Sequence, residues 1–400
     1  MEQTVLDQAG YRDNPLFGIP VRAAAADPHA DWKWQQRNAV TGIQGLLQHF
    51  PALAGDPEML ERIERHLAER KLGATPYTLG LIRTDAQGRP QRDDPVWRQL
   101  IPDWHGSAAP AALEYDGESE NWELPNEMVT PICQHKYDNR VILRLANVCH
   151  SYCQFCYEAL RTLDKQSEKN ALRKQDWLAT LDYIGGHPEL DEVILSGGEP
   201  LMHSDRHLDG YLADLRAVRP DLILRIHTRA LTFNPYRITD ELVEIFKRHG
   251  VTTVGLHVTH PHEITDEFKA AAARLRGAVP ILFANIPLLK GINDDYETLS
   301  KLCLALYRLG IQPHYLYHFM PFSPGSETYR TDISSAVALV ARMKRRISNI
   351  AVPEYVLPHK HGKYTVPLDL GAVPPVLHKG ADGEFLHFTN WQGQACVFPE

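Results

Sequence analysis

Three cysteines fall close together in NVCHSYCQFCYE (147–158): Cys149, Cys153 and Cys156, spaced C-x3-C-x2-C. Thiolates are soft anionic ligands. Three of them can hold three irons of a [4Fe–4S] cube and leave the fourth iron open to a non-protein ligand. A zinc site usually wants four protein ligands, and a second C-x-x-C is missing from the sequence. His150 could complete a Cys3His set, but it adjoins Cys149, and adjacent side chains rarely converge on one small ion. The spacing therefore predicts an iron–sulfur cluster on Cys149, Cys153 and Cys156. Cys133, Cys303 and Cys396 are scattered. Isolated cysteines are usually buried small hydrophobes, the reading taken for Cys133 and Cys303, and six cysteines are too few for a disulfide scaffold.

A second signal lies forty residues after Cys156, where the apolar run VILS (193–196) ends in SGGEP: Ser196, Gly197, Gly198, Glu199 and Pro200. Alone, such a turn merely ends a strand. About forty residues after a three-cysteine loop it is a stronger signal.

Elements that could position these groups begin near residue 139. Short apolar runs occur at VILRLAN (141–147), VILS, ILRIHT (223–228), TVGLHV (253–258), ILFANIP (281–287) and HYLYHF (314–319). Amphipathic stretches such as LDGYLADLRAV (208–218) and ITDELVEIFKRHG (238–250) lie between them. Acidic residues early and basic residues late in the second stretch are helix start and stop signals. Strands alternating with helices predict an α/β fold with a parallel sheet. Six strands suit a partial (β/α)6 barrel better than a closed eight-stranded one, with functional groups at the C-terminal strand ends.

The flanks differ from this pattern. Trp34, Leu46, Leu47, Phe50, Leu60 and Ile63 recur at helical spacing, so 31–70 is read as helices, followed by a Pro-, Asp- and Gly-rich wrapping segment over 85–125. The expected organisation is an N-terminal helical and wrapping region (1–130), a barrel (131–349) and a segment with a strand-like start, VPEYVLP, that closes the barrel mouth (350–400).

The 400 residues carry 42 Lys and Arg against 50 Asp and Glu, a net charge of −8. That balance argues against an electrostatic nucleic-acid or anionic-membrane binder. No run of 18 apolar residues is present, so no transmembrane helix is expected. The N-terminus lacks the charged-then-apolar layout of a secretion signal, and a cytoplasmic location is expected.

The cysteine spacing after the first strand and the SGGEP turn after the second resemble the radical S-adenosylmethionine superfamily. The resemblance implies that the open iron binds S-adenosylmethionine, that the Gly-Gly-Glu-Pro backbone meets its methionine amino group, and that one electron releases a 5′-deoxyadenosyl radical. A one-electron donor such as a flavodoxin or ferredoxin is then implied. DWKWQQRN (31–38), TPYTLGLI (75–82), HKYDNRV (135–141), HPHEITDE (260–267), LLKGINDD (288–295) and YLYHF (315–319) narrow the likeness to the lysine 2,3-aminomutase family. Members exchange an α-amino group and a β-hydrogen with the help of pyridoxal phosphate.

By that resemblance Lys363, in LPHKHGKYTVP after Gly362, is the lysine that binds pyridoxal phosphate, with Lys360 as a rival because the family's glycine run is shortened. Lys136, Tyr137 and Arg140 match the family's phosphate- and ring-binding set, with lysine where arginine is usual; lysine neutralises a phosphate but lacks the bidentate fork. The substrate pocket departs from the family. Glu158 stands where members acting on lysine carry a carboxylate-binding arginine. Arg161 or another cation takes over, or the substrate lacks a free carboxylate there, or Glu158 turns into a structural ion pair. Met320 and Pro358 stand where the family places two ammonium-binding aspartates, and neither can pair with an ammonium. His314, His318, His359 and His361 are candidate polar contacts in that region. The structural zinc of lysine aminomutases is not expected, since the tail has only Cys396 and the corresponding helix reads KAAAARLR (269–276).

The expected activity is an aminomutase-type isomerisation of an amino acid or amine other than free lysine. A deaminase, dehydratase, epimerase or decarboxylase using the same radical, with or without pyridoxal phosphate, is the alternative. A protein substrate stays open, a nucleic-acid one is disfavoured by charge, and homo-oligomerisation through apolar surface is possible.

Overall fold

The computed structural model describes residues 29–105, 124–163, 172–320, 326–359, 361–368, 375–380, 383–390 and 393–398. Its centre is a ten-stranded sheet in sequence order. The strands are β1 (Met128–Thr130), β2 (Cys133–Tyr137), β3 (Arg140–Ala146), β4 (Glu192–Gly197), β5 (Ile223–Thr228), β6 (Val251–His257), β7 (Ile281–Leu288), β8 (Gln312–His318), β9 (Glu354–His359) and β10 (Gly362–Thr365). Pairing is parallel from β3 through β9 and antiparallel at both ends.

The six apolar runs are β3 to β8. VPEYVLP adds β9 as a further parallel strand, so the row is seven strands long, and β10 folds back on it. The expected mouth-closing tail is thus partly barrel wall. Beyond it, β11 (Val376–Gly380), β12 (Gly383–Thr389) and β13 (Ala395–Phe398) form a separate antiparallel sheet.

Crossover helices cover the outer face: Lys174–Gly186, Asp205–Val218, Asp240–Arg248, Asp266–Arg276, Tyr296–Arg308 and Ile333–Arg346. Side chains of Ser204, Thr239, Thr265 and Asp295 accept from the third backbone N–H beyond them and start four of these helices. On Asp240–Arg248 the buried face is Leu242, Val243, Ile245 and Phe246, the stripe a 3.6-residue period predicts. Leu224, Ile226, Val254 and Leu256 on the strands meet Leu212, Leu215, Phe246 and Phe268 on the helices in one core. The alternate strand residues are left facing the lumen. Because the connections are crossovers, the loops after β3, β4, β5 and β6 gather at one end of the sheet.

The N-terminal region packs its own core of Leu46, Phe50, Leu53, Ile63, Leu79, Trp97 and Leu100, which Phe233 joins from the loop after β5. Trp32, rather than Trp34, is the buried tryptophan of the first helix, Trp32–Arg37. Within the expected wrapping segment the structure has a helix at Pro95–Leu100. Asp94 caps it, accepting from Val96 and Trp97 N–H, and Pro95 opens it, an N-cap and N1 signal hidden among turn residues. No described helix is long and apolar enough to cross a membrane.

Candidate radical-chemistry site

The loop leaving β3 carries Cys149, Cys153 and Cys156, and the N-terminal region holds it in place. Tyr152 N–H donates to Gly73 O at 2.7 Å, Gln154 N–H to Gln99 O at 2.8 Å, and Thr75 N–H to Ser151 Oγ at 3.1 Å. Arg70 clamps Gln154 through Nε to its side chain at 3.0 Å and Nη2 to its carbonyl at 2.5 Å.

Burial pushes all three thiols up. Cys149 is raised further by the charges of Cys156 and Cys153, so the three sulfurs feel one another. Cys156 is pushed up to about 12 by burial first and by Cys153 second, although Thr162 Oγ1 donates to its sulfur at 3.4 Å. Three buried thiolates side by side are stable as ligands to a cationic centre, and this donor set fits a cluster. Among the described residues no three ligands converge on a single ion; a cube does not require that, since each corner takes its own sulfur.

The SGGEP turn leaves β4 against the same loop. Gly198 N–H donates to Ala146 O at 2.5 Å and Glu199 N–H to Val148 O at 2.8 Å. A Cβ on Gly198 would lie 2.6 Å from Val148 O, which is why glycine is needed there. The Glu199 carboxylate is buried and fully used, accepting from Thr228 Oγ1 at 2.7 Å, Arg229 N–H at 2.7 Å and Leu201 N–H at 3.0 Å. It locks the turn to the end of β5. Ser196 is buried near Tyr157, and Pro200 opens the 3-10 turn Pro200–Met202.

Glu158 lies in a buried ion-pair triad. Its Oε1 is 3.0 Å from Arg144 Nε and its Oε2 is 3.3 Å from Arg161 Nε, with Glu158 and Arg144 both at most 2% exposed. Arg144 Nη2 also donates to Gln134 at 2.8 Å. Of the alternatives for Glu158, the structure adopts the ion pair, and Arg161 is its partner.

Lys363 stands on β10, directly across the hairpin from Pro358. Its predecessor Gly362 has φ of +123°, a conformation open to glycine. The Lys363 ammonium is 5.2 Å from the Tyr137 ring centroid and 5.7 Å from that of Tyr315. The residue reaches the surface, yet its ammonium is hemmed in. Desolvation first, then the cations Arg140, Arg225 and Lys136, push its pKa down to about 8. Lys136 is paired with Glu127 at 2.7 Å and Arg225 with Glu192 at 2.7 Å. Arg140 stacks 4.1 Å over Tyr137, and among the described residues no carboxylate pairs with it. The set fits a phosphate-bearing aldehyde: an amine of lowered pKa, a guanidinium bonded to Asn139 Oδ1 at 3.2 Å but to no carboxylate among the described residues, and two aromatic faces. Lys360 lies outside the described residues.

Met320 is buried at 7% exposure just past β8. His318 is tied to Tyr355 Oη at 2.8 Å through Nδ1, while His359 and His361 sit exposed on the hairpin. His314 packs on Tyr315 and Phe283.

Sequence reasoning missed several lumen residues. Arg225 and His227 alternate with Leu224, Ile226 and Thr228 on β5, and that period-two polar pattern inside an apolar run was the available signal. His227 packs against His257 and Phe283. Burial, with the charges of His257, Arg225 and Lys363, holds its pKa well below the usual range, so the ring is neutral. His227 Nε2 and Asn285 Oδ1 are buried without a hydrogen-bond partner among the described residues. Such groups are costly unless a ligand or water meets them.

Comparison with known proteins gives the class: residues 143–303, which include the cysteine loop and the SGGEP turn, match the model of the radical SAM superfamily. The L-lysine 2,3-aminomutase of Acetoanaerobium sticklandii is 31% identical over 332 residues, 82% of this chain and 75% of that protein. That of Clostridium subterminale is 30% identical over 331 residues, 82% of this chain and 75% of that protein. That of Escherichia coli is 31% identical over 341 residues, 85% of this chain and 95% of that protein. The chain belongs to the lysine 2,3-aminomutase-like family of radical SAM enzymes. The radical SAM family implies a [4Fe–4S] cluster and S-adenosylmethionine.

Proposed function

We propose that this chain moves an amino group between adjacent carbons of an amino acid or amine other than free lysine. Cys149, Cys153 and Cys156 would carry the cluster, the Ser196–Pro200 turn would meet S-adenosylmethionine, and Lys363 would bind pyridoxal phosphate. The observation that carries this reading is the setting of Lys363, whose charged neighbours are Arg140, Arg225 and Lys136. When bound, the reduced cluster and S-adenosylmethionine supply a 5′-deoxyadenosyl radical, and pyridoxal phosphate holds the migrating nitrogen.

The residues of the chain bind, align and keep the site dry. Tyr137 and Tyr315 offer faces to a planar ring, and Arg140 is placed to meet a phosphate. Neutral His227 and the Asn285 carbonyl offer uncharged hydrogen bonds in the lumen. Met320 and Pro358 give a distal ammonium no carboxylate, which supports a substrate other than lysine. The electron would come from an external low-potential protein such as a flavodoxin or ferredoxin.

The test is borohydride reduction of anaerobically purified protein supplied with pyridoxal phosphate, followed by peptide mass spectrometry. A phosphopyridoxyl mark on Lys363 is expected. A mark on Lys360 would move the site by three residues; none at either lysine would remove the nitrogen carrier. Turnover of free lysine at an ordinary enzymatic rate would overturn the substrate assignment.

A further inference from the structure

Arg229, just past β5, points its side chain at the cysteine loop. Nη1 lies 2.9 Å from Cys153 Sγ, and the side chain is 11% exposed. The other end of the guanidinium is fixed: Nη2 donates to Gln99 Oε1 at 2.5 Å and Thr259 Oγ1 at 2.9 Å, and lies 3.3 Å from Glu263 Oε2. Glu263 is itself held, accepting from Gln99 Nε2 at 2.8 Å and Thr259 N–H at 3.2 Å. The guanidinium also lies over the rings of Phe233, at 4.4 Å, and Phe155, at 5.3 Å. Three polar groups and two rings thus aim one N–H at one sulfur.

A charge on a buried, pinned arginine is not needed to hold the loop, which the N-terminal region already ties down. Its effect falls on the sulfur. Hydrogen bonds to cluster sulfurs and the local net charge set the potential of an iron–sulfur cluster. We propose that Arg229 is a positioning residue that raises the reduction potential of the cluster by donating to Cys153, and that Glu263 moderates it from the far side. The proposal rests on the cluster assignment above. In the step affected, the cluster takes one electron from an external low-potential donor, [4Fe–4S]2+ to [4Fe–4S]+, and no bond forms or breaks. The reduced form carries one more negative charge, so a fixed guanidinium favours it and a fixed carboxylate opposes it.

The same residue touches the SGGEP turn, because its backbone N–H donates to Glu199 Oε2 at 2.7 Å. Substitution of the side chain leaves that backbone bond in place, so cluster potential and turn geometry can be altered separately.

The experiment is an anaerobic redox titration of the full-length, cluster-loaded protein without S-adenosylmethionine, using dithionite as reductant and paramagnetic resonance of the reduced cluster as readout. Arg229→Gln should lower the reduced-to-oxidised ratio at a fixed potential about tenfold, ~59 mV for a one-electron couple. Glu263→Gln should shift it in the opposite direction, and Arg229→Lys should lie between Arg229→Gln and the wild type. Arg229→Gln strands Glu263 in the interior, so the double variant R229Q/E263Q is the control that leaves no buried charge unpaired. It should still titrate below the wild type, because Arg229 is the member in contact with the sulfur. Variants that carry the wild-type iron content yet titrate at the wild-type potential would overturn this inference alone. Wild-type protein that takes up no cluster would overturn it together with the cluster assignment.

Discussion

The Lys363 ammonium lies 5.2 Å from the Tyr137 ring, although their strands, β10 and β2, stand near opposite edges of the ten-stranded sheet. The sheet must coil through almost a full turn to make that contact, as the right-handed twist between neighbouring strands allows. Among the described residues no strand pairing joins the two edges. The contact across the gap is instead made by side chains, and it brings the lysine under the field of Arg140 and Arg225.

That field has a pH signature. Lysine attacks an aldehyde as the free amine, and the Lys363 pKa is pushed down to about 8. Cyanoborohydride trapping of pyridoxal phosphate on Lys363 should therefore rise with pH through a midpoint near 8, well below the ~10.4 of an ordinary lysine. Arg140→Gln removes a cation that disfavours the ammonium and should move the midpoint upward. A wild-type midpoint near that of free lysine would contradict the picture.

Glu158 compensates two arginines in the interior. Removing one partner of a buried pair leaves an uncompensated charge and costs about 3–5 kcal/mol. Glu158→Gln should lose roughly that much in urea unfolding of the cluster-free protein, with Glu158→Arg losing more. A loss no larger than an exposed pair gives, about 0–1 kcal/mol, would show that the triad is open to water.

Gly198 tests the meeting of the turn and the cysteine loop. In Gly198→Ala the new methyl would sit 2.6 Å from Val148 O and 2.9 Å from Val148 N, next to Cys149. Both obstacles are backbone, so the loop must move. Iron uptake on reconstitution should fall while the far-ultraviolet circular dichroism stays native. Full iron incorporation would mean that the cysteines do not depend on that contact.

Trp97 is fully buried in the N-terminal core, two residues from Gln99, whose carbonyl holds the cysteine loop. Trp97→Ala should destabilise the fold by about 3–5 kcal/mol. Because Gln99 also bonds Arg229 and Glu263, the same variant should broaden the resonance of the reduced cluster. An unchanged spectrum in a destabilised protein would uncouple the N-terminal core from the cluster.

Much of the scaffold was legible as pattern. The six apolar runs are six consecutive strands, since alternation with amphipathic helices leaves a parallel sheet as the economical arrangement. The helix at Pro95–Leu100 was not read, because six residues are too short for a period to show and only Asp94 and Pro95 mark its start. The strands β1 and β2 were not read either; at three and five residues they are too short for apolar alternation to show.

The cysteine spacing is local, so chain order alone puts the three thiols in one loop, and Gly197 and Gly198 likewise mark the turn after β4. Partnerships across the chain were decided by the tertiary structure. Arg229 and Cys153 are 76 residues apart, and nothing in either neighbourhood names the other. Glu158 offered a charge reversal in sequence, and only packing selected Arg144 and Arg161 as its partners. Lys363 was a lysine after a glycine; its lowered pKa exists because the coiled sheet desolvates its ammonium and then places Arg140, Arg225 and Lys136 around it. Covalent spacing decides what lies within a few residues, whereas desolvation and charge act through space and appear only when the chain has closed on itself.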